Sequence, residues 1–211
     1  MNRALRWSLL LFSGFLLVTQ QVLTNGPLVA YDEEIDRQSK PQFAGFAGFT
    51  LRRLDDLGLR GLTASVLLLS AIFIAYKFKT WRPLNLAILS LLALNLVVGT
   101  AKLFLGRTKP RDGFDLIHAG GMSYPSGHAS NAVLSWGILA YLIYRYAKVD
   151  RFQGRLATVG VISISLTICI VSLIRHTHWF SDLLGGLFIG SALLVAVIAV
   201  DRFVPSKSQL H

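Results

Sequence analysis

The sequence has almost no cysteine and few charges of either sign. Cys169 is the only cysteine, and it sits inside an apolar run with no partner, which rules out an intramolecular disulfide framework and argues against a cysteine-based metal site. Charged residues make up only 15% of the chain while 53% are hydrophobic, and mean hydropathy is +0.55. A soluble globule needs more charge than this to cover its surface, so the composition points to a membrane protein. Acids are scarcer than bases, 11 against 21, for a net charge of +10. The bases do not form a nucleic-acid-binding stripe. They cluster between apolar runs, where the anionic head groups of a bilayer are the natural partner. There is no internal repeat and no low-complexity segment.

Six stretches approach the roughly 20 apolar residues that a membrane-spanning helix requires. They lie at about 5–24, 61–78, 83–104, 128–147, 156–175 and 181–200. The first follows Arg3 and Arg6, but its run is long and Thr19-Gln20-Gln21-Val22 lacks a small-x-small cleavage pattern, so it reads as a retained helix. The expected fold is therefore all-α: a single polytopic domain of six transmembrane helices with its core at about 60–200. The connection over residues 25–60 has apolar residues at near-helical spacing among charges, including Leu51, Leu54 and Leu57. That pattern fits an amphipathic helix lying on the membrane, or equally a connector folded over the bundle.

The distribution of Lys and Arg sets the expected orientation. Arg3, Arg6, Lys77, Lys79, Arg82, Arg145, Lys148, Arg151, Arg155, Arg202 and Lys207 all fall on one side, with only Asp150 and Asp201 as acids. Both termini are expected in the cytoplasm, with the 1–2, 3–4 and 5–6 connections outside. The 3–4 connection breaks the rule with Lys102, Arg107, Lys109 and Arg111, which suggests that these charges serve chemistry.

Three patches on the outer side carry that chemistry. The first, Lys102 to Arg111, packs four cations into ten residues and reads either as an anion clamp or as side chains snorkelling to the interface. The second, Ser123-Tyr124-Pro125-Ser126-Gly127-His128, opens the fourth helix. Ser126 suits an N-cap, Gly127 lets a ligand approach the backbone, and His128 is placed to donate a proton. Free amides and the helix dipole favour phosphate there, although a capped helix with an incidental histidine would look the same. In the third patch, Arg175-His176-Thr177-His178-Trp179-Phe180-Ser181-Asp182, the spacing puts His178 and Asp182 on one face of a helical turn. A carboxylate on one ring nitrogen leaves the other free to attack. Arg175 can meet phosphate oxygens, Trp179 reads as an interfacial anchor, and His176 reads as a bystander. An ordinary hairpin with polar interface residues is the plain alternative. Together the patches supply a nucleophile, its orienting carboxylate, a general acid and oxyanion-binding cations, the parts a phosphoryl transfer needs. Asp112, Asp115, His118 and Asp182 show no metal-ligand spacing, so neither a metal nor another cofactor is expected.

The ordered set Lys102…Lys109-Pro110, Pro125-Ser126-Gly127-His128 and Arg175…His178…Asp182 resembles the type-2 phosphatidic acid phosphatase superfamily of lipid phosphate phosphatases, over roughly residues 60–200. The resemblance implies that His178 forms a phosphohistidine, Asp182 orients it and His128 protonates the leaving group. It also implies that Lys102, Ser126, Gly127 and the third-motif arginine hold the phosphate. Two departures stand out. Lys109 occupies a position that is arginine in the family, with Arg107 or Arg111 nearby to compensate, and strict spacing puts Ser172, not Arg175, at the third-motif arginine position. Residues 172 and 175 lie about one helical turn apart on one face, so Arg175 can serve from a shifted position.

The expected activity is hydrolysis of a lipid phosphomonoester or pyrophosphate. Candidate substrates are isoprenyl pyrophosphate, phosphatidylglycerophosphate, phosphatidic acid and lipid A. The alternatives are a lipid phosphotransferase using the same site, or a lipid-phosphate binding or transport protein without turnover. Transport would call for ionisable groups near mid-membrane, whereas here charges gather at helix ends. The expected partners are a lipid phosphate and the bilayer, not nucleic acid. The small size and topology point to a bacterial inner membrane with the site on its periplasmic face. Nothing in the sequence fixes an oligomeric state.

Overall fold

The computed structural model describes residues 2–38, 41–147 and 149–204, so Lys148 and Lys207 of the orientation argument lie outside the described residues. Among these residues the regular structure is entirely helical: α1 (Asn2–Leu23), α2 (Pro27–Arg37), α3 (Gly45–Asp56), α4 (Arg60–Lys77), α5 (Arg82–Leu105), α6 (Gly127–Asn131), α7 (Gly137–Tyr146), α8 (Arg151–Ile174) and α9 (Phe180–Phe203). α1, α4, α5, α8 and α9 are long and apolar enough to cross a membrane. The stretch expected as the fourth span is a continuous helical run in three pieces: α6, a π-helical turn at Ala132–Trp136, and α7.

Two element boundaries depart from the sequence reading. α8 begins at Arg151, five residues before the apolar run, because Asp150 and Gln153 form a capping box: Asp150 Oδ1 accepts from the Gln153 amide at 2.8 Å, and Gln153 Oε1 accepts from the Asp150 amide at 3.2 Å. A local cap thus extends the helix over charges that hydropathy excludes. Residues 25–60 hold two helices where a single one was expected, and α2 starts at Pro27, whose fixed φ suits a first helical turn.

α9 is the central helix. α1 packs along it, with Ser8 Oγ donating to Ala192 O at 2.9 Å, and α5, α6, α7 and the π turn also contact it. Its glycines admit the segment that carries the second motif. A Cβ on Gly185 would lie 2.7 Å from Tyr124 Oη, and one on Gly186 would lie 2.6 Å from Ser126 O. Backbone cannot yield as a flexible side chain can, so Gly186→Ala is expected to destabilise the protein by about 1–3 kcal/mol through overpacking. A lowered unfolding temperature in detergent, with activity reduced in parallel, would verify this; an unchanged temperature would mean that α9 and Ser126 are less tightly seated.

At one end of the bundle Arg82, Arg145 and Tyr141 converge on the buried Asp201. Arg82 Nε donates to Oδ1 at 2.7 Å and Tyr141 Oη to Oδ2 at 2.6 Å, while Arg145 also pairs with Oδ2. α5, α7 and α9 are thereby tied together at the end farthest from His178.

Candidate active site

The opposite end gathers the three sequence patches. α5 stops at Gly106, whose φ of 54° is a left-handed conformation that glycine adopts at little cost, and its amide closes on Lys102 O at 2.9 Å. That turn leaves Lys102 on the last turn of the helix and sends Arg107 inward. Lys102 is buried; its Nζ donates to the carbonyls of Met122 and, at 3.3 Å, Ser123. It also runs past Gly127, where a Cβ would lie 3.8 Å from Lys102 Cε. Patches one and two are therefore adjacent.

Ser126 caps α6, its Oγ accepting from the Ala129 amide at 3.3 Å, and its own amide donates to Asp182 O at 2.9 Å. The second bond locks the start of α6 to the start of α9. The Gly127 and His128 amides, first in the helical run, have no hydrogen-bond partner among the described residues. His128 and His178 face each other with ring centroids 6.3 Å apart.

His178 lies in the short turn between α8 and α9 and is buried. Its Nδ1 is 3.3 Å from Asp182 Oδ2 and 3.5 Å from Ser123 Oγ, which leaves Nε2 as the nitrogen without a hydrogen-bond partner among the described residues. Asp182 is fully buried, and each of its oxygens is occupied. Oδ2 accepts from the Trp179 amide at 3.0 Å and from Ser123 Oγ; Oδ1 accepts from Arg107 Nη1 at 2.8 Å. These donors fix the carboxylate in place against the His178 ring.

Arg107 is placed differently from the sequence reading. It was expected among the phosphate-binding cations, but its guanidinium is completely buried and surrounded by carboxylates. It binds Asp115 through both Nε (2.7 Å) and Nη2, Asp32 through Nη2 at 2.7 Å, and Asp182 through Nη1. Its Cζ lies 5.5 Å from the Trp179 ring centroid, and Trp179 Nε1 donates to Thr108 O at 2.9 Å. Trp179, read from sequence as an interfacial anchor, is buried and joins the first and third patches.

Two acids not singled out in the sequence also enter the site. Asp32 of α2 accepts from the Ser181 amide (Oδ1, 2.8 Å), the Ser181 hydroxyl and Arg107. Burial pushes the Asp32 carboxyl above its usual range, against the opposing pull of Arg107 and Ser181. Asp55 of α3 pairs with Arg175 and accepts from Ser172 Oγ at 3.2 Å. Positions 172 and 175 thus meet one carboxylate from one helix face. Lys109 stays half-buried beside the site, and its charge acts on both Lys102 and His128. His176 pairs with Asp36 at 2.6 Å, away from the His128–His178 pair. The only sequence hint of Asp32 and Asp55 was the concentration of acids in the connection over residues 25–60.

Known proteins match this chain along nearly its whole length. Phosphatidylglycerophosphatase B of Bacillus subtilis (strain 168) is 26% identical over 201 residues, which cover 91% of this chain and 93% of that protein. The crystal structure of a transmembrane PAP2 type phosphatidylglycerolphosphate phosphatase from Bacillus subtilis has the same fold, with a TM-score of 0.83 at 22% identity, over 95% of this chain and 98% of that one. The model of the PAP2 superfamily matches residues 83–204, which takes in all three patches and more than half of the sequence, and the chain belongs to that superfamily.

Proposed function

We propose that the chain is a membrane lipid phosphate phosphatase that works through a phosphohistidine on His178. The observation that carries this reading is the His178–Asp182 pair facing His128, with an unpartnered imidazole nitrogen on His178. In the first step Nε2 of His178 attacks phosphorus and the bond to the lipid oxygen breaks. His128 gives its proton to that oxygen, and the lipid leaves as an alcohol or a monophosphate. In the second step His128 takes a proton from water, the water oxygen attacks phosphorus, the P–N bond breaks and phosphate departs. Lys102, Lys109 and the amides of Gly127 and His128 are the groups proposed to neutralise charge on the transferring phosphoryl. Ser126 contributes chiefly by capping, since its amide is already engaged by Asp182. Arg175 joins them by sharing its guanidinium between Asp55 and the substrate. Arg107 acts on Asp182 and not on phosphate, as its burial among carboxylates argues.

The cations give this chemistry its charge neutralisation without a metal. The related Bacillus subtilis protein makes phosphatidylglycerophosphate the first substrate to try. Counting the Gly127–Tyr146 run as a span brings the total to six and puts both ends of the chain on one side. The bases at the end away from His178 favour that side as cytoplasmic, which leaves the site on the periplasmic face of a bacterial inner membrane. α2 and α3 then lie at the outer interface, a setting that suits the exposed Phe43, Phe46 and Phe49.

The test is phosphate release by the purified protein from a panel of lipid phosphates with EDTA present. Release from phosphatidylglycerophosphate despite chelation is the expected result. Release that stops with EDTA would overturn the metal-free mechanism. No release from any lipid by folded protein would turn the reading toward phosphotransfer or binding without turnover.

A further inference from the structure

The half of the bundle away from His178 is split. α7 is pressed onto α9, where a Cβ on Gly137 would lie 2.5 Å from Leu194 Cδ2, and onto α8, where a Cβ on Gly154 would lie 3.0 Å from Tyr144 Cδ2. These two close approaches leave α8 and α9 apart in this half, with a cleft of about 870 Å³ between them and α7 as its floor. That volume falls within the range of about 300–1,000 Å³ usual for ligand sites. Toward mid-bundle the walls are apolar, with Val161, Leu166, Leu187 and Leu194, while Arg151, Arg155 and Arg202 line the other end.

The three arginines differ from their neighbours. Arg82 and Arg145 both pair with Asp201. Arg151, Arg155 and Arg202 are exposed and have no carboxylate partner among the described residues. Asp150, the nearest acid in sequence to Arg151 and Arg155, is occupied in capping α8, and Asp201, next to Arg202, is taken by Arg82 and Arg145. Arg151 and Arg155 are four apart on the extended first turns of α8 and share a face, and Arg202 approaches from α9. A topology signal accounts for basic residues at this end of the bundle. It does not account for three unneutralised ones lining a single apolar slot.

We propose that this cleft binds one anionic phospholipid from the leaflet opposite the His178 site. Its acyl chain lies between α8 and α9, and Arg151, Arg155 and Arg202 hold its head-group phosphate. Guanidinium groups grip phosphate oxygens by charge-assisted and bidentate hydrogen bonds, and the apolar walls exclude a free anion's hydration shell. Because α8 and α9 also carry the Arg175–Asp182 turn at their other ends, an occupied cleft fixes the spacing of the two helices that present His178.

The test is native mass spectrometry of the full chain in mild detergent with added phosphatidylserine or phosphatidylcholine of identical chains, read alongside thermal unfolding. Wild-type protein is expected to retain one phosphatidylserine and to unfold several degrees higher with it, but not with phosphatidylcholine. In the Arg151→Gln/Arg155→Gln/Arg202→Gln variant, phosphatidylserine should bind about tenfold or more weakly, since each arginine facing an anionic lipid contributes to its retention. If that variant does not fold, Thr158→Trp, which fills the cleft and leaves all three charges in place, is expected to remove the lipid-induced stabilisation. Equal retention of both lipids, or a triple variant that responds like wild type, would overturn the proposal, the latter by placing the lipid elsewhere. The same stabilisation by inorganic phosphate alone would also overturn it, because the site would then be one for free anions.

Discussion

Alanine at position 178 is expected to reduce phosphate release on the order of 10⁴-fold or more while the protein stays folded. The size of the effect follows from the proposed chemistry, because the imidazole that faces His128 is itself the proposed nucleophile. Retention of the fold follows from the geometry around Asp182. With the imidazole gone, that carboxylate still has Arg107, the Ser123 hydroxyl and the Trp179 amide, so no buried charge is stranded. The measurement combines turnover of phosphatidylglycerophosphate with the unfolding temperature, and adds a search for an acid-labile phosphoprotein. Wild-type protein quenched during turnover should carry label and the His178→Ala variant should not. Near-normal turnover by the variant would sink the nucleophile assignment.

Arg107→Ala should behave in the opposite way, losing stability first. Its guanidinium is the cation shared by Asp32, Asp115 and Asp182, and removing it leaves these carboxylates together without their common partner. Breaking a buried ion network by deleting one partner costs about 3–5 kcal/mol, and here the deleted partner is the common one. Arg107→Lys keeps the charge but cannot reproduce the fork that reaches all three acids at once, so it should fall between alanine and wild type. The check is unfolding in detergent together with steady-state kinetics. A cation that only held substrate would raise KM and leave the unfolding temperature unchanged; that outcome would return Arg107 to the phosphate-binding set.

The contrast between His178 and Arg107 marks what could be read from the sequence. His178 and Asp182 were recognisable because a separation of four residues is a local property that survives any tertiary arrangement. The same holds for Ser126 as a cap and for the apolar runs of α8 and α9. The role of Arg107 was not recognisable. Beyond Asp115, its partners stand 75 positions away in each direction, at Asp32 and Asp182, and nothing in a linear pattern separates a cation facing solvent from one facing buried acids. Asp32 and Asp55 escaped notice for the same reason: among several acids in one connection, only the packing of α2 and α3 onto the bundle selects these two. The start of α8 was misjudged because hydropathy excludes arginines that a capping box retains. The π turn at Ala132–Trp136 leaves no mark in the hydrophobic period and is visible only in the backbone.

The pairing of α1 with α9 sets the order in which this molecule can assemble. Ser8 finds its acceptor on Ala192, a sequence separation of 184, so α1 enters the bilayer without its main partner and keeps an unanswered hydroxyl until α9 is made. Asp32 and Asp55 wait in the same way for Ser181 and Arg175. Contacts this distant in sequence make folding slow and cannot form before α9 has been made. Until α9 is made, Ser8 and Asp32 therefore lack these partners, and the site is complete only when α9 joins α1.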